Sequence, residues 1–459
     1  SIIDDEQLDN LSDSPEMPSK KRKTNDSRKL TPLDQQVKDL KLKNMDKLLV
    51  IRVGYKYKCF AQDAVAASKI LHIRLIPGKL TMDESNPQDV NYKQFAYCSF
   101  PDIRLNVHLQ RLLYHNLIVS VVEQSETTAI KKNSTNKSSV FVREIANTFS
   151  KATYGVNNSF NSSRTKGEIL GNSKSIWVLS IQDVNNILLK YVLFSINLNS
   201  GEIVFDEITE NRQSTDSLHT RIKYLQPTEC VIISKNTLSA NICNLFKNID
   251  CTIHHDTENS EFESDTLDED EIANLKDTIE TLIPILQTTK EKMSPIFTLY
   301  SYLKQYSNER SLLISSNYKL FLSELYMILD HNALDSLNIF SNNGKKGSLF
   351  WILDHTRTPF GSRELYNWVS RPLINKEEIE NRLDALDCML KVIGDIFFDS
   401  LNQILTKTPD LLKTLNRISY GSTSRNEVYY FLKQLVSIGD HFQLHEKYVK
   451  DNILSDTSN

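Results

Sequence analysis

The hydrophobic pattern of this chain changes once, and that change limits the folds that the chain can adopt. Up to about residue 255, short runs of alternating or β-branched apolar residues, such as residues 48–60, are followed by short helical patterns, such as residues 61–71. From residue 272 onward, apolar residues recur at helical spacing, as at Leu275, Ile279 and Leu282. Strands that alternate with helices indicate an α/β fold, whereas a sustained helical period indicates packed helices alone. We therefore predict a multi-domain protein with α/β domains first and an all-α part last.

The length of 459 residues is enough for two or three domains, each with its own core. A long acidic stretch without Lys or Arg, residues 256–271, is interpreted as a solvated insertion between patterned segments. The predicted divisions are a disordered tail at residues 1–30, a first α/β domain at 31–156, a second α/β domain at 172–255, the acidic insertion at 256–271 and an incomplete helical domain at 272–459. Because the chain begins with Ser1 and ends in a polar run, we expect it to be an excerpt of a longer protein.

A compact basic cluster lies inside the polar N-terminal tail. It consists of Lys20, Lys21, Arg22 and Lys23. Such a cluster in an extended segment is typical of a nuclear-import signal, and the alternative is a solvated charge run in a linker. We favour import, and we therefore expect a nuclear protein.

Charge and cysteine usage exclude some classes of function. The net charge is −4, so any nucleic-acid site must be a local patch and not the whole surface. Cys251 lies close to His254 and His255, but no second pair has the spacing of a zinc site, and we favour buried structural cysteines in a reducing compartment. We find no apolar run long enough for a membrane span and no signal peptide.

Three short motifs carry the functional prediction. Residues 53–64 read V-G-Y-K-Y-K-C-F-A-Q-D-A, residues 121–124 read V-V-E-Q, and residues 358–363 read T-P-F-G-S-R. Together they resemble the MutS family of DNA mismatch-repair proteins, with a likeness that runs from about residue 31 to the C-terminus. The T-P-F-G-S-R string is the most specific piece. The resemblance implies a mismatch-binding α/β domain, an RNase H-like connector domain, and the start of a helical lever and core domain.

The motif at residues 53–64 departs from the usual family pattern in an informative way. The family's Phe and Glu, which stack on a mismatched base and hydrogen-bond to it, fall on Lys56 and Lys58 here. The sequence is similar instead to the eukaryotic branch that binds extruded insertion–deletion loops as part of MutSβ, in which a Tyr-Lys pair forms the wedge. Tyr55 and Lys56 match that pair. The alternative is an ordinary half-buried strand with Tyr pointing inward and Lys in water.

Three further residues are weaker candidates for DNA contact. Arg52 and Lys79 are interpreted as either phosphate contacts or solvated surface charges. Tyr97 corresponds to a loop that approaches the minor groove in the family, and its alternative role is packing in the core of the first domain.

The resemblance also implies partners and a nucleotide. The partners are looped or mismatched double-stranded DNA, the MutS homologue shared by both eukaryotic repair heterodimers, and MutL-type proteins. No G-x-x-x-x-G-K-[S/T] motif occurs in the sequence, and residues 344–348 lack its spacing. We therefore expect no ATPase activity from this chain and predict no catalytic, cofactor-binding or metal-binding residue in it. ATP and Mg would bind a domain outside it, which would make the full-length protein a DNA-dependent ATPase.

Two other functions stay open at this point. An RNase H-like nuclease would need carboxylates that converge on two metal ions, for which Asp183, Asp206 and Glu207 are the nearby candidates. A MutS relative that holds recombination junctions or branched DNA would lack a wedge domain, and the complete first domain here argues against it.

Overall fold

The computed structural model describes residues 30–83, 85–124, 141–154, 175–185, 187–234, 238–249, 251–256, 268–321, 326–340, 347–391, 394–421 and 423–450. The predictions for the tail at residues 1–29, including the basic cluster at residues 20–23, lie outside these residues. Most of the predicted acidic insertion also lies outside them.

The first part of the chain is a sheet with helices on both faces. Its described strands are β1 (Leu48–Val53), β2 (Lys56–Phe60), β3 (Tyr97–Pro101), β4 (Val119–Gln124) and β5 (Arg143–Phe149). Its helices are α1 (Pro32–Leu42), α2 (Ala61–Leu71) and α3 (Leu105–Tyr114). The strand order is β3-β2-β1-β4-β5, in which β1 and β4 are parallel and the other neighbours antiparallel. The α/β class expected for this part is therefore observed.

The hydrophobic run of β1 is explained by burial on both faces of the sheet. Leu48 and Val50 pack in the core that α2 and α3 cover, whereas Leu49 and Ile51 point to the opposite face, which α1 covers. Successive side chains of a strand point to opposite faces, so a strand with helices on both sides needs apolar residues at every position. Helix α1 begins after Thr31, whose hydroxyl accepts a hydrogen bond from the Asp34 amide at 3.1 Å and caps the helix.

Residues 48–60 were expected to form one strand, and this expectation is wrong. The chain reverses at Gly54 and Tyr55, and β1 and β2 pair as an antiparallel hairpin with Val53 opposite Lys56. Gly54 has a φ of +66°, a left-handed conformation that favours glycine. The alternation of apolar residues at Tyr57 and Cys59 is real, but it begins after the turn.

A buried ion pair holds α1 against α2. The Lys41 ammonium lies 2.8 Å from the Asp63 carboxylate, and both side chains are almost fully buried. The second carboxylate oxygen of Asp63 accepts from the Leu49 amide at 3.0 Å, so the pair also fixes the start of β1. Burial raises the pKa of Asp63, and Lys41 opposes that shift. The pair therefore specifies how α1 sits, at the cost of two desolvated charges.

The second part of the chain is a larger sheet. Its described strands are β6 (Ser175–Asn185), β7 (Leu188–Asn197), β8 (Ile203–Asn211), β9 (Pro227–Ser234), β10 (Thr252–Asp256) and β11 (Tyr318–Leu320). They lie in the order β10-β9-β6-β7-β8-β11. A tight turn lies between β7 and β8, where Gly201 donates its amide to the Asn197 carbonyl at 2.8 Å. Trp177 and Leu179 of β6 face the helices α4 (Asp216–Leu225) and α5 (Ala240–Asn248).

The opposite face of this sheet corrects the predicted start of the helical domain. Helices α6 (Glu269–Ile285) and α7 (Pro295–Lys304) pack on Ile176 and Val178 of β6, and β11 then joins the sheet beside β8. The helical spacing from residue 272 was predicted correctly, but its apolar face meets a sheet and not other helices. The end of the predicted acidic insertion is also corrected, because residues 269–271 form the first turn of α6.

A buried carboxylate joins the two α/β parts. Glu229 of β9 is 2% exposed and accepts hydrogen bonds from the Ser150 hydroxyl at 3.0 Å and from the Ala152 amide at 2.9 Å. The Tyr302 hydroxyl of α7 donates to the same carboxylate at 2.8 Å. Ala152 packs in the core of the second sheet, and Tyr154 donates to a backbone carbonyl of α3 at 2.9 Å. We call residues 150–154 the clasp.

The last part is helical, as expected. Its described helices are α8 (His331–Ser336), α9 (Leu349–Leu353), α10 (Pro359–Ser370), α11 (Lys376–Lys391), α12 (Ile396–Lys407), α13 (Leu411–Ser419), α14 (Arg425–Leu444) and α15 (Glu446–Val449). The T-P-F-G-S-R string starts α10: Ser362 donates to Asp354 at 2.8 Å, and Arg363 forms two bonds to Asp410, at 2.7 and 2.8 Å. Within the described residues, no helix has the length and hydrophobicity to cross a membrane.

Candidate nucleic-acid interface

An exposed tyrosine stands at the tip of the β1–β2 hairpin. Tyr55 is 72% exposed, although its neighbours Ile51 and Tyr57 are buried. Its carbonyl accepts a hydrogen bond from the Asp102 amide at 3.3 Å, which places the tip beside the short 3-10 turn that precedes α3. An aromatic ring this exposed gains nothing from the protein core, so it is available to stack on another molecule.

Two lysines follow Tyr55 on one face of β2. The Lys56 ammonium lies 5.4 Å from the centre of the Tyr55 ring, within the range of a cation–π contact. Lys58 lies two residues further along β2, with its ammonium 4.3 Å from the centre of the Tyr97 ring. Burial lowers the pKa of Lys58, and the nearby charge of Lys56 lowers it further. The two cations and the two rings form a continuous strip from the tip toward β3.

The opposite face of the hairpin is anchored by a polar network. Tyr57 is 3% exposed, and its hydroxyl donates to the Glu123 carboxylate on β4. Arg52 of β1 lies between them and donates to the same carboxylate at 3.1 Å. Burial and the bond to Glu123 raise the pKa of Tyr57 well above its ordinary value. The network joins three strands, so it fixes the direction in which the hairpin projects.

The predicted role of Arg52 in phosphate contact is only in part compatible with this geometry. Its guanidinium is held by Glu123 and lies 3.9 Å from Asp102, and the Glu123 bond raises its pKa. Its side chain is still 39% exposed. The backbone carbonyl of Arg52 accepts from Arg143 at 3.0 Å. The main role of Arg52 in this geometry is therefore to support the hairpin.

Lys79 is not a surface charge, which corrects both interpretations of it. It is 6% exposed, and its backbone forms hydrogen bonds with Gln94 and Ala96, both at 2.9 Å. Gly78 allows this approach, because a side chain there would collide with the backbone at Ala96. Tyr97 is half-buried, with its ring tilted against Phe60 at 6.3 Å, so it packs in the first domain and still reaches Lys58.

The structure adds residues that the sequence analysis missed. Ile103 is 90% exposed in the turn beside Tyr55, and Arg104 next to it is exposed as well. Arg111 continues this exposed surface along α3. Ile103 precedes α3 and does not share the face whose buried positions begin at His108. An apolar side chain out of phase with its helix indicates contact with something outside the domain.

The carboxylates of the nuclease hypothesis do not converge. Asp183 pairs with Leu189 of β7 and Asp206 with Leu193, so they are about 13 Å apart along the strands. Each carboxylate is bound by a cation of the protein. The pairs are Arg221–Asp206 at 2.7 Å, Arg212–Asp183 at 3.4 Å and Lys292–Glu207 at 2.7 Å. These three residues are held as structural ion pairs.

The residues considered for zinc are also used within the fold. Cys251 is buried, and the His254 ring lies against Tyr302, with 3.4 Å between its Nε2 atom and the tyrosine oxygen. Within the described part of the chain, no group of three or more His, Cys, Asp or Glu side chains could hold a metal ion.

Comparison with known proteins places both ends of the chain in one family. A family model described as MutS domain I matches residues 31–158, and one described as MutS domain III matches residues 332–457. The chain is 52% identical over 438 residues to the DNA mismatch repair protein MSH3 of Vanderwaltozyma polyspora, with 95% of this chain and 41% of the relative covered. It is 51% identical over 445 residues to the protein of that name from Saccharomyces cerevisiae, with 95% and 42% covered. The protein of that name from Debaryomyces hansenii is 35% identical over 449 residues, with 89% and 41% covered. The chain thus spans about two fifths of the length of these relatives.

Proposed function

Because this chain belongs to the MutS family, we propose that it is the DNA-recognition part of a mismatch-repair protein that binds insertion–deletion loops. The observation that carries the proposal is the tip of the β1–β2 hairpin, where exposed Tyr55 is followed by Lys56 in place of the aromatic residue that the family uses on single mismatches. The names of the relatives support mismatch repair as the process.

Tyr55 would act as a wedge at the junction between duplex and loop. Separating two stacked base steps costs a few kcal/mol, and stacking of a base on an aromatic ring returns about 1–3 kcal/mol. Extruded bases are already unstacked, so the cost is lower at a loop than in a continuous duplex. The same ring therefore discriminates between the two kinds of DNA without contacting base edges.

The lysines on β2 would bind the backbone that the loop displaces. An extruded loop brings additional phosphates close to the wedge, and a carboxylate at position 58 would repel them. Lys56 and Lys58 attract them instead and release counterions from the DNA. Lys58 is already partly desolvated, which strengthens its attraction for a phosphate that reaches it.

The anchored face of the hairpin supports this use. A wedge must resist the restacking of the bases that it separates, and a loose turn would bend away. Tyr57, Arg52 and Glu123 tie the hairpin to β4, and the Asp102 amide holds the carbonyl of Tyr55. The exposed Ile103 lies beside the tip, where it would contact the sugar edge of the opened step.

The remaining expectations are part of the same proposal. The full-length protein would pair with the MutS homologue common to both eukaryotic heterodimers, recruit MutL-type proteins, and bind ATP and Mg outside this chain. The second α/β part would serve as the connector domain, with an RNase H-like fold. The basic cluster at residues 20–23 would direct the protein to the nucleus.

The test is a binding titration of the full-length protein with its MutS partner at stated salt. The DNA probes are a homoduplex, a duplex with a single mismatch, a duplex with an extruded loop and a four-way junction. We expect the looped duplex to bind most tightly. Equal affinity for the loop and the homoduplex would contradict the proposal, and tightest binding to the junction would favour the recombination alternative.

A further inference from the structure

A cavity of about 940 Å³ lies between the second sheet and helix α10, away from the hairpin. Its floor is formed by the ends of β7, β8 and β11, and its wall by α10 and the end of α4. Cavities that hold small ligands have volumes of roughly 300–1,000 Å³. The lining combines aromatic rings with amide and hydroxyl groups, a composition that suits a ligand with both a flat ring and polar edges.

Arg371, at the end of α10, gives this cavity a charge. Its guanidinium carbon lies 5.3 Å from the centre of the Tyr224 ring and 4.6 Å from that of Phe321. Burial lowers its pKa, and Glu202 opposes that shift from a distance. Within the described residues, the guanidinium has no hydrogen bond or ion pair to a carboxylate. The side chain of Arg371 is only partly buried, so its guanidinium is open to an anion that enters the cavity.

The other charged side chains of the lining already have partners. Lys319 lies 3.1 Å from Glu202, and Arg363 is held by two bonds to Asp410. Glu364 is exposed and accepts from the Trp368 indole at 2.7 Å. Among the charged side chains of the lining that the structure describes, Arg371 is therefore the cation without a carboxylate partner.

We propose that this cavity binds a nucleoside phosphate, with the phosphate on Arg371 and the base against the ring of Tyr326. The guanidinium is a planar donor fork that matches a phosphate in two hydrogen bonds. The amide side chains of Gln226 and Asn367 in the lining supply donors and acceptors for the edge of a base. The site is separate from the DNA wedge and does not depend on the proposed function.

The experiment is calorimetric titration of the purified 459-residue chain with AMP, ADP, adenosine and inorganic phosphate. The sequence has no phosphate-binding loop of the G-x-x-x-x-G-K-[S/T] type, so binding by such a loop does not interfere. We expect AMP and ADP to bind one per chain, and adenosine to bind about tenfold or more weakly, because a hydrogen bond to a charged group contributes that much. Because Trp368 also lines the cavity, a bound nucleotide should change the indole fluorescence.

Two variants and one control test the position of the site. Arg371→Gln removes the charge and should weaken AMP binding by about tenfold or more. Asn367→Trp fills the cavity from an exposed position on α10 and should abolish binding even if Arg371→Gln impairs folding. Arg425→Gln removes the same charge from an exposed position at the start of α14 and should leave binding unchanged. Absence of AMP binding, AMP binding that survives both cavity variants, or inorganic phosphate that binds as tightly as AMP would each overturn the proposal.

Discussion

The phenol of Tyr57 and the carboxylate of Glu123 meet across the full width of β1, with Arg52 bonded between them. This contact lies one residue pair below the turn that carries Tyr55. The register places it there, because Arg52 pairs with Tyr57 and the parallel pairing of Ile51 with Val122 brings Glu123 beside Arg52. The stiffness of the hairpin therefore depends on a residue that is distant in the sequence.

The first prediction follows from this contact. Glu123→Gln replaces a charged acceptor shared by two donors, so we expect the hairpin to lose about 1–3 kcal/mol of local stability. Hydrogen exchange of the amides of residues 48–60 measures this loss. Tyr57→Phe should lose less, and the two changes together should lose less than their sum, because they remove one shared interaction. Strict additivity would mean that the two residues act independently.

The second prediction concerns the wedge. Tyr55→Ala removes the exposed ring, so the affinity of the full-length protein, with its proposed MutS partner, for looped DNA should fall by about 1–3 kcal/mol, with little change on homoduplex. The matched control is Tyr114→Ala, which removes a ring of nearly the same exposure, 73%, from the far end of α3. Equal losses in the two variants would show that Tyr55 has no special role.

The third prediction separates charge from stacking. Lys56→Ala should weaken binding to the loop and reduce the dependence of the affinity on salt. Without this lysine, one phosphate is not neutralised, so about one fewer counterion is released from the DNA on binding. Lys43→Ala removes an exposed lysine at the end of α1 and serves as the control. An unchanged slope of affinity against salt in Lys56→Ala would place this lysine away from the DNA backbone.

The fourth prediction concerns the buried ion pair. Lys41→Met leaves the Asp63 carboxylate buried without its cation and should destabilise the first domain by about 3–5 kcal/mol. Lys41→Met with Asp63→Leu should recover part of this loss, though not all, because the Leu49 amide then lacks its acceptor. Chemical unfolding followed through the first domain checks both. A double variant no more stable than Lys41→Met would show that the uncompensated charge is not the cause.

The fifth prediction is a pH dependence. His108 is buried against Phe100, with 4.6 Å between ring centres, and burial lowers its pKa below 6.5, with a further contribution from Arg111. As the pH falls through 6.5, the unfolded imidazole binds a proton that the folded one resists, so folding stability decreases. His108→Phe should therefore lose less stability than the unchanged chain between about pH 7.5 and about pH 5. Parallel curves for the two chains would remove His108 as a contributor.

The sequence indicated whether a segment forms a helix or a strand more reliably than it indicated which element that segment packs against. The helical spacing of Leu275, Ile279 and Leu282 correctly indicated a helix, but periodicity does not say whether the apolar face meets a helix or a sheet. Here the face meets Ile176 and Val178 of β6, and the sheet continues after the helices with β11, a strand of three residues that is too short to show a pattern. For the same reason the boundary of the helical part was placed too early.

The residues of the candidate site were also predicted only in part from the sequence. Tyr55 and Lys56 were chosen from a family motif; the structure places Tyr55 on an exposed turn and Lys56 at the start of β2, whereas alternation alone would have put both inside one strand. Lys79 was taken as a surface residue because lysines usually are, and backbone pairing with residues 94–96 decides otherwise. Ile103 was missed because its importance lies in exposure next to Tyr55, which is a fact of three-dimensional position.

The clasp at residues 150–154 has a mechanical consequence. Bending DNA costs elastic energy, so a bent duplex would exert a force on any side chain inserted into it. A force on the hairpin reaches β4 through Glu123, passes along the neighbouring β5 to Ser150, and from there enters the second sheet at Glu229. Elastic strain in the duplex would thus act on the second α/β part even if that part does not contact the DNA.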